Sequence, residues 1–178
     1  MYGKPFYTLP QSIGPLKRGW ERSLLRSIYG RARGVFFREN ISVQLAQRIG
    51  IPPEKCHYAP DPAFAYPSAG RDQALALLSP YGYRPGEDSL GLTIIAPMGR
   101  SLQPDQVDRY YHSLAGLLVR LVRKLGLKVY IFDQVIGPTL QEDDRRATRR
   151  VLDLVGEPVN GIIWVNQTLT PGQLKACY

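Results

Sequence analysis

Residues 90–96 (LGLTIIA), 105–125 (DQVDRYYHSLAGLLVRLVRKL) and 127–132 (LKVYIF) decide the fold of this chain. The first and last are apolar runs of strand length. Between them Val107, Tyr110, Tyr111, Leu114, Leu117, Leu118, Leu121, Val122 and Leu125 form one stripe at helical spacing. Strand, amphipathic helix, strand is the pattern of a parallel pair joined by a crossover helix. The alternation continues C-terminally. A helix is expected over 142–155, a strand over Gly161–Val165, and Thr170-Pro171 reads as the start of another helix.

A second alternation lies on the N-terminal side. Pro5–Leu9 is a short apolar run closed by Pro10, followed by the loop Gln11-Ser12-Ile13-Gly14-Pro15. From Leu16 to Tyr29, Trp20, Leu24, Leu25 and Ile28 recur at helical spacing. Arg18, Arg22 and Arg26 recur on another face, which reads as the solvated one. Residues 34–39 (GVFFRE) are strand-like, and Asn40 or Ser42 is expected to cap a helix carrying Ile41, Leu45 and Ile49, ended by Gly50. A strand near Lys55–Ala59 leads into Asp61-Pro62-Ala63-Phe64. Pro67, Gly70, Pro80, Gly82, Pro85 and Gly86 mark residues 67–88 as a linker region around a short helix at 72–78. The expected fold class is α/β, with mostly parallel sheets and helices on both faces.

Composition agrees with a globular chain: 178 residues, 44% apolar and 21% charged, which excludes collagen-like, disulfide-framework and disordered classes. No run of 18 apolar residues is present, and the first residues lack the features of a signal peptide. Cys56 and Cys177 are the only cysteines, which fits a reducing compartment, so a cytoplasmic location is expected. The net charge of +8 is concentrated. Residues 1–50 carry nine Lys/Arg against Glu21 and Glu39, whereas the remainder is nearly balanced. That basic segment suggests an anionic partner, including a membrane surface at the inner face of the bilayer. Nucleic acid is an unlikely partner, because the basic helix matches no recognition motif.

Local motifs for a P-loop, a zinc protease, a CxxC pair, a nucleophile elbow or an EF-hand are absent, and no metal is expected. His57 and His112 lack a second ligand at metal spacing. Glu142, Asp143 and Asp144 ahead of Arg145, Arg146, Arg149 and Arg150 fit the helix dipole, with Glu142 and Arg146 at i,i+4. In parallel α/β sheets, ligands bind beyond the carboxyl ends of strands, so the loops following strands carry the weight. Those loops hold Gln11, Ser12 and Gly14; Arg38, Glu39 and Ser42; Asp61; and Gln134. Each loop taken singly also reads as turn chemistry and capping.

Taken in order, residues 9–15 (LPQSIGP), 37–42 (FRENIS) and 59–64 (APDPAF) resemble the polysaccharide pyruvyl transferase family. The stretches 129–138, 142–144 and 169–175 are similar to the family more loosely. The resemblance implies two Rossmann-like domains in a GT-B-like arrangement, with residues 1–66 the end of the N-terminal one and 89–178 the start of the C-terminal one. It implies transfer of the pyruvyl group of phosphoenolpyruvate to two hydroxyls of a saccharide or lipid-linked glycan, in cell-surface polysaccharide biosynthesis. The products are a cyclic ketal and phosphate, and no cofactor is needed beyond the donor substrate. By resemblance Asp61 and Glu39 are the catalytic candidates, and Gln11, Ser12, Gly14, Arg38, Ser42 and Gln134 the substrate-binding ones. Arg38 is expected to help neutralise the donor or fix the inter-domain crevice, and Asp61 to assist proton transfer or bind an acceptor hydroxyl. The family's opening glycine-rich strand-loop and its Arg-x-His motif are not found here, so the expectation is a fragment with little or no transferase activity alone. Two other readings stand beside this one: a nucleotide-sugar glycosyltransferase of similar architecture, and a non-catalytic α/β fragment binding an anionic partner through its basic helix.

Overall fold

Val35 and Phe37 are fully buried while Phe36 between them is only partly so, the alternation of a strand with one face on a core. This strand, β1 (Val35–Phe37), pairs in parallel with β2 (Cys56–Tyr58), Phe36 opposite His57. Both belong to the first of two units in this computed structural model, Met1–Pro67 and Ser68–Tyr178. The structure describes residues 4–97, 102–139 and 142–178.

In the first unit, residues 7–11 run beside β1 in parallel, through isolated bridges Tyr7–Gly34 and Gln11–Phe37. The apolar run Pro5–Leu9, expected to be the first strand, makes only the bridge at Tyr7. Pro10 has no N–H to donate, and the ladder is interrupted. Helix α1 (Gly19–Arg31) and helix α2 (Asn40–Arg48) close over β1, with Tyr29, Ala32, Ala46 and Ile51 around Val35 and Phe37. Gly50 follows α2 with φ +91°, a conformation that favours glycine at the helix end.

Two expectations change here. The capping residue of α2 is Glu39, in extended conformation; Asn40 is already helical, and Ser42 is fully buried inside the first turn. The faces of α1 also differ from the amphipathic reading. Trp20, Leu24 and Ile28 point outward and are 59%, 50% and 42% exposed, while Leu25 and Tyr29 face the core. Arg22 and Arg26 lie instead along a groove lined by Leu45, Arg48 and Ile49 of the α2 segment. Arg22 donates to the Leu16 carbonyl, and the Arg26 guanidinium lies against Gly50. The long aliphatic stems of arginine can cover an apolar neighbour while the charged heads stay wet.

The second unit is built on β3 (Ser89–Thr93), β4 (Lys128–Phe132) and β5 (Ile162–Val165), all parallel in that spatial order. Every residue from Val129 to Phe132 is buried, as a central parallel strand requires. Val129 and Ile131 face helix α4 (Pro104–Leu125) and helix α5 (Asp144–Val155), meeting Leu118, Ala147 and Val151. Tyr130 and Phe132 face the opposite side, where helix α3 (Arg71–Leu78) and helix α6 (Pro171–Cys177) pack together. The chain is thus an α/β protein with parallel sheets, and helices cover both faces of the larger one.

Strand β3 ends at Thr93, earlier than the apolar run to Ala96 suggests. Ile95 and Ala96 leave the ladder because the Ile95 carbonyl accepts the Tyr110 hydroxyl and the Ala96 N–H donates to Asp144. From Ser68 onward the Pro/Gly-rich stretch is packed into this unit. Leu78, Tyr81 and Tyr83 join the core with Tyr130, and Glu87 accepts both Lys128 Nζ at 2.6 Å and the Tyr130 hydroxyl at 2.8 Å. Gly161, at φ +106°, enters β5 with Val122 so close that a Cβ would sit 2.9 Å from its methyl group. Among the described residues no helix is long and apolar enough to cross a membrane.

Candidate functional site

The carboxyl ends of β1, β2 and the 7–11 segment lie side by side because all three run in parallel. The loops leaving them therefore meet, although Ser12, Arg38 and Asp61 are far apart in sequence. Arg38 donates from Nε to the Ser12 hydroxyl at 2.7 Å and from Nη1 to Asp61 Oδ2 at 2.6 Å. Its backbone is fixed as well, the Arg38 N–H donating to the Gln11 carbonyl. Asp61 Oδ1 accepts the Ala63 N–H at 3.0 Å, which holds the carboxylate at the start of the turn Pro62–Ala65. Arg38 and Asp61 remain 47% and 30% exposed, so the pair contributes little to stability and mainly sets position. No hydrogen bond among the described residues uses Arg38 Nη2, which leaves one donor edge for an anionic ligand.

Beside this pair, the buried Ser42 hydroxyl accepts the Ile13 N–H at 2.8 Å and donates to Glu39 Oε1 at 3.0 Å. A helix residue thereby pins the 11–15 loop to the end of β1. Gln11 serves the same loop from the other side, its amide donating to the Tyr29 hydroxyl at 2.7 Å. Gly14 has an ordinary backbone, and an added Cβ would meet nothing within 4 Å. The fold itself therefore does not demand glycine at that position.

The electrostatics of the two carboxylates agree. The Ser12 and Ser42 hydroxyls hold Glu39 below the usual carboxylate range. The Ala63 N–H and the Arg38 guanidinium do the same for Asp61. Both are ionised at neutral pH, so each can accept a hydroxyl hydrogen bond and neither holds a proton to give.

The eighth predicted site residue, Gln134, belongs to the second unit, where it follows β4 and donates to the Tyr178 hydroxyl. Around it are residues that the sequence reading passed over. Asp144 is 1% exposed and accepts the N–H groups of Ala96, Gln134 and Val135, tying the loop after β3 to the loop after β4. Asp133 accepts Thr148 Oγ1 at 3.0 Å and Trp164 Nε1 at 2.8 Å, and its burial lifts the carboxyl above the usual range. The acidic run therefore does more than complement a dipole. Three successive acids at a helix start, where one cap suffices, were the available signal. Glu142 pairs with the Thr139 hydroxyl.

His57 stacks on Phe36 with ring centroids 5.1 Å apart, and His112 Nδ1, in the second unit, sits beside the Asp108 carbonyl. Among the described residues no group of three His, Cys, Asp or Glu side chains is placed to hold a metal.

Parallel sheets with helices packed on them place the chain in the α/β class, in which ligands bind beyond the carboxyl ends of the strands. The family profile of the polysaccharide pyruvyl transferases matches residues 2–93, a span that includes Gln11, Ser12, Gly14, Arg38, Glu39, Ser42 and Asp61. The chain belongs to the polysaccharide pyruvyl transferase family. No curated protein and no solved structure matches it.

Proposed function

We propose that the Arg38–Asp61–Ser12 cluster serves transfer of a pyruvyl group from phosphoenolpyruvate to two saccharide hydroxyls. The observation that carries this reading is that the three side chains, drawn from three loops, converge within the stretch matching the family. In this reaction the donor's methylene gains a proton, its C2 gains two sugar oxygens, and phosphate leaves. The free edge of the Arg38 guanidinium suits the donor's phosphate or carboxylate. Asp61 and Glu39, both ionised, suit acceptance of sugar hydroxyls; the proton for the methylene must come from another group. Cytoplasmic synthesis of a cell-surface glycan accords with a donor made inside the cell. Contact with an anionic membrane is supported by the basic excess of residues 1–50 and by the outward Trp20, Leu24 and Ile28.

The test is glycan-dependent release of phosphate from phosphoenolpyruvate, with the ketal methyl group followed by NMR. It is made in an active family member carrying the same Arg–Asp pair. Replacing that arginine with alanine should raise the KM for phosphoenolpyruvate. Unchanged kinetics in the variant would remove the cluster from the reaction.

A further inference from the structure

Helix α1 turns an apolar face away from its own core. Trp20, Leu24 and Ile28 follow one another four residues apart, so they form one row along the helix, and each is exposed. Lys17, just ahead of the helix, and Arg31, its last residue, stand three residues beyond the two ends of that row, and both are exposed. Three is also a same-face step, so a cation is set at each end of the apolar row. The one acid of α1, Glu21, accepts the Arg18 N–H at 2.9 Å and is occupied in starting the helix. The face is therefore apolar along its middle and positive at both ends.

That pattern narrows what can cover it. A second copy of the chain is disfavoured twice. Two-fold pairing of antiparallel α1 helices would set Lys17 of one chain beside Arg31 of the other, a meeting of like charges. Three half-exposed side chains also fall short of the about 1,200 Å² that a stable protein interface buries. An anionic bilayer surface asks for less. A helix lying in the interface sinks its apolar row by only about 5–10 Å and gains from each cation near the headgroups. Tryptophan is favoured at that depth, where its ring is in apolar surroundings and its N–H meets water. At 13 residues α1 is about 20 Å long, enough to lie flat along its row.

We infer that α1 is a membrane-docking helix, lying in the plane of an anionic bilayer with Trp20, Leu24 and Ile28 seated in the interface and Lys17 and Arg31 on the lipid phosphates. Lys17 is five residues after Ser12, and an extended chain spans at most about 18 Å over that length. The docked helix thus holds the Ser12–Arg38–Asp61 network close to the headgroups. This docking gives the membrane contact proposed above its element, its face and its lipid charge, and it is independent of the pyruvyl transfer.

Co-sedimentation of the whole chain with sucrose-loaded vesicles tests it, with neither phosphoenolpyruvate nor glycan present. Phosphatidylglycerol vesicles should bind the chain, phosphatidylcholine vesicles should bind it far more weakly, and added salt should release it. Trp20→Ser/Leu24→Ser should weaken binding to phosphatidylglycerol by about tenfold through the lost apolar contact. Lys17→Gln/Arg31→Gln should weaken it by about thirtyfold at low salt. Arg120→Gln/Lys124→Gln, which removes two exposed cations from α4, should leave binding unchanged. All six positions are exposed, so unchanged circular dichroism is expected throughout. Equal binding to the two lipids, parental binding in both α1 variants, or an equal loss in the α4 variant would each overturn the assignment. So would a dimer in sedimentation equilibrium that Trp20→Ser/Leu24→Ser dissolves, because the face would then belong to a second copy. A failure of ketal formation in the family-member assay with vesicle binding intact would count against the proposed reaction and leave this docking face standing.

Discussion

Asp61 in the first unit, in the loop after β2, and Asp144 in the second, at the start of α5, both follow parallel strands, yet they do different work. Asp61 is part-exposed; one oxygen accepts a backbone N–H and the other meets Arg38. Asp144 is buried and accepts three backbone N–H groups from two loops. Identical chemistry in equivalent places is therefore divided by burial. An exposed carboxylate beside an arginine stays available to a ligand, whereas a buried one ringed by amides becomes part of the scaffold.

Substitutions should separate the two. The largest effect is expected for Asp144→Ala, which leaves three N–H groups without their acceptor and should destabilise the second unit by about 3 kcal/mol. Urea unfolding measures it, and a stability within error of the parent would make the two aspartates equivalent. Next comes Asp61→Asn in an active relative, where turnover should fall by about tenfold through a misplaced arginine while the thermal midpoint barely moves. Equal loss of stability and turnover would erase the distinction.

The smallest effect concerns acid. Asp61 has a lowered folded pKa, so its contribution to stability is present above the unfolded value and is lost as pH falls through the folded one. Asp133 has a raised folded pKa, so its contribution is complete below the unfolded value and is lost as pH rises through the folded one. Asp61→Asn should flatten the acid limb of the stability profile, and Asp133→Asn should steepen it. Chemical unfolding between pH 3 and pH 7, about the carboxylate range, resolves the two slopes. Slopes of the same sign would contradict the opposed environments.

Much of the fold was legible because its signals are local. The apolar run of β4, the stripe of α4 and the Thr170-Pro171 start of α6 are each read within one element. The first site was half legible: Ser12, Arg38 and Asp61 stood out as residues following strands, but their meeting depends on parallel neighbours 26 and 23 residues away. Asp144 was not legible, since one of its partners, Ala96, is 48 residues away. The outward stripe of α1 was missed for another reason. Periodicity shows that two faces exist, and only packing shows which one turns inward; here Tyr29 and Leu25 dock on β1 and carry Trp20 outward.

Glu87 has a practical bearing on how the chain can be divided. Its carboxylate joins the segment before β3 to Lys128 and Tyr130 on β4, and Leu78 and Tyr83 cover the same strand. A C-terminal piece begun at Ser89 would lose that cover and expose the apolar face of Tyr130 and Phe132. One begun at Ser68 keeps it. Limited proteolysis should accordingly yield a persistent fragment starting near Ser68, with the bonds of 71–88 among the slowest to be cut.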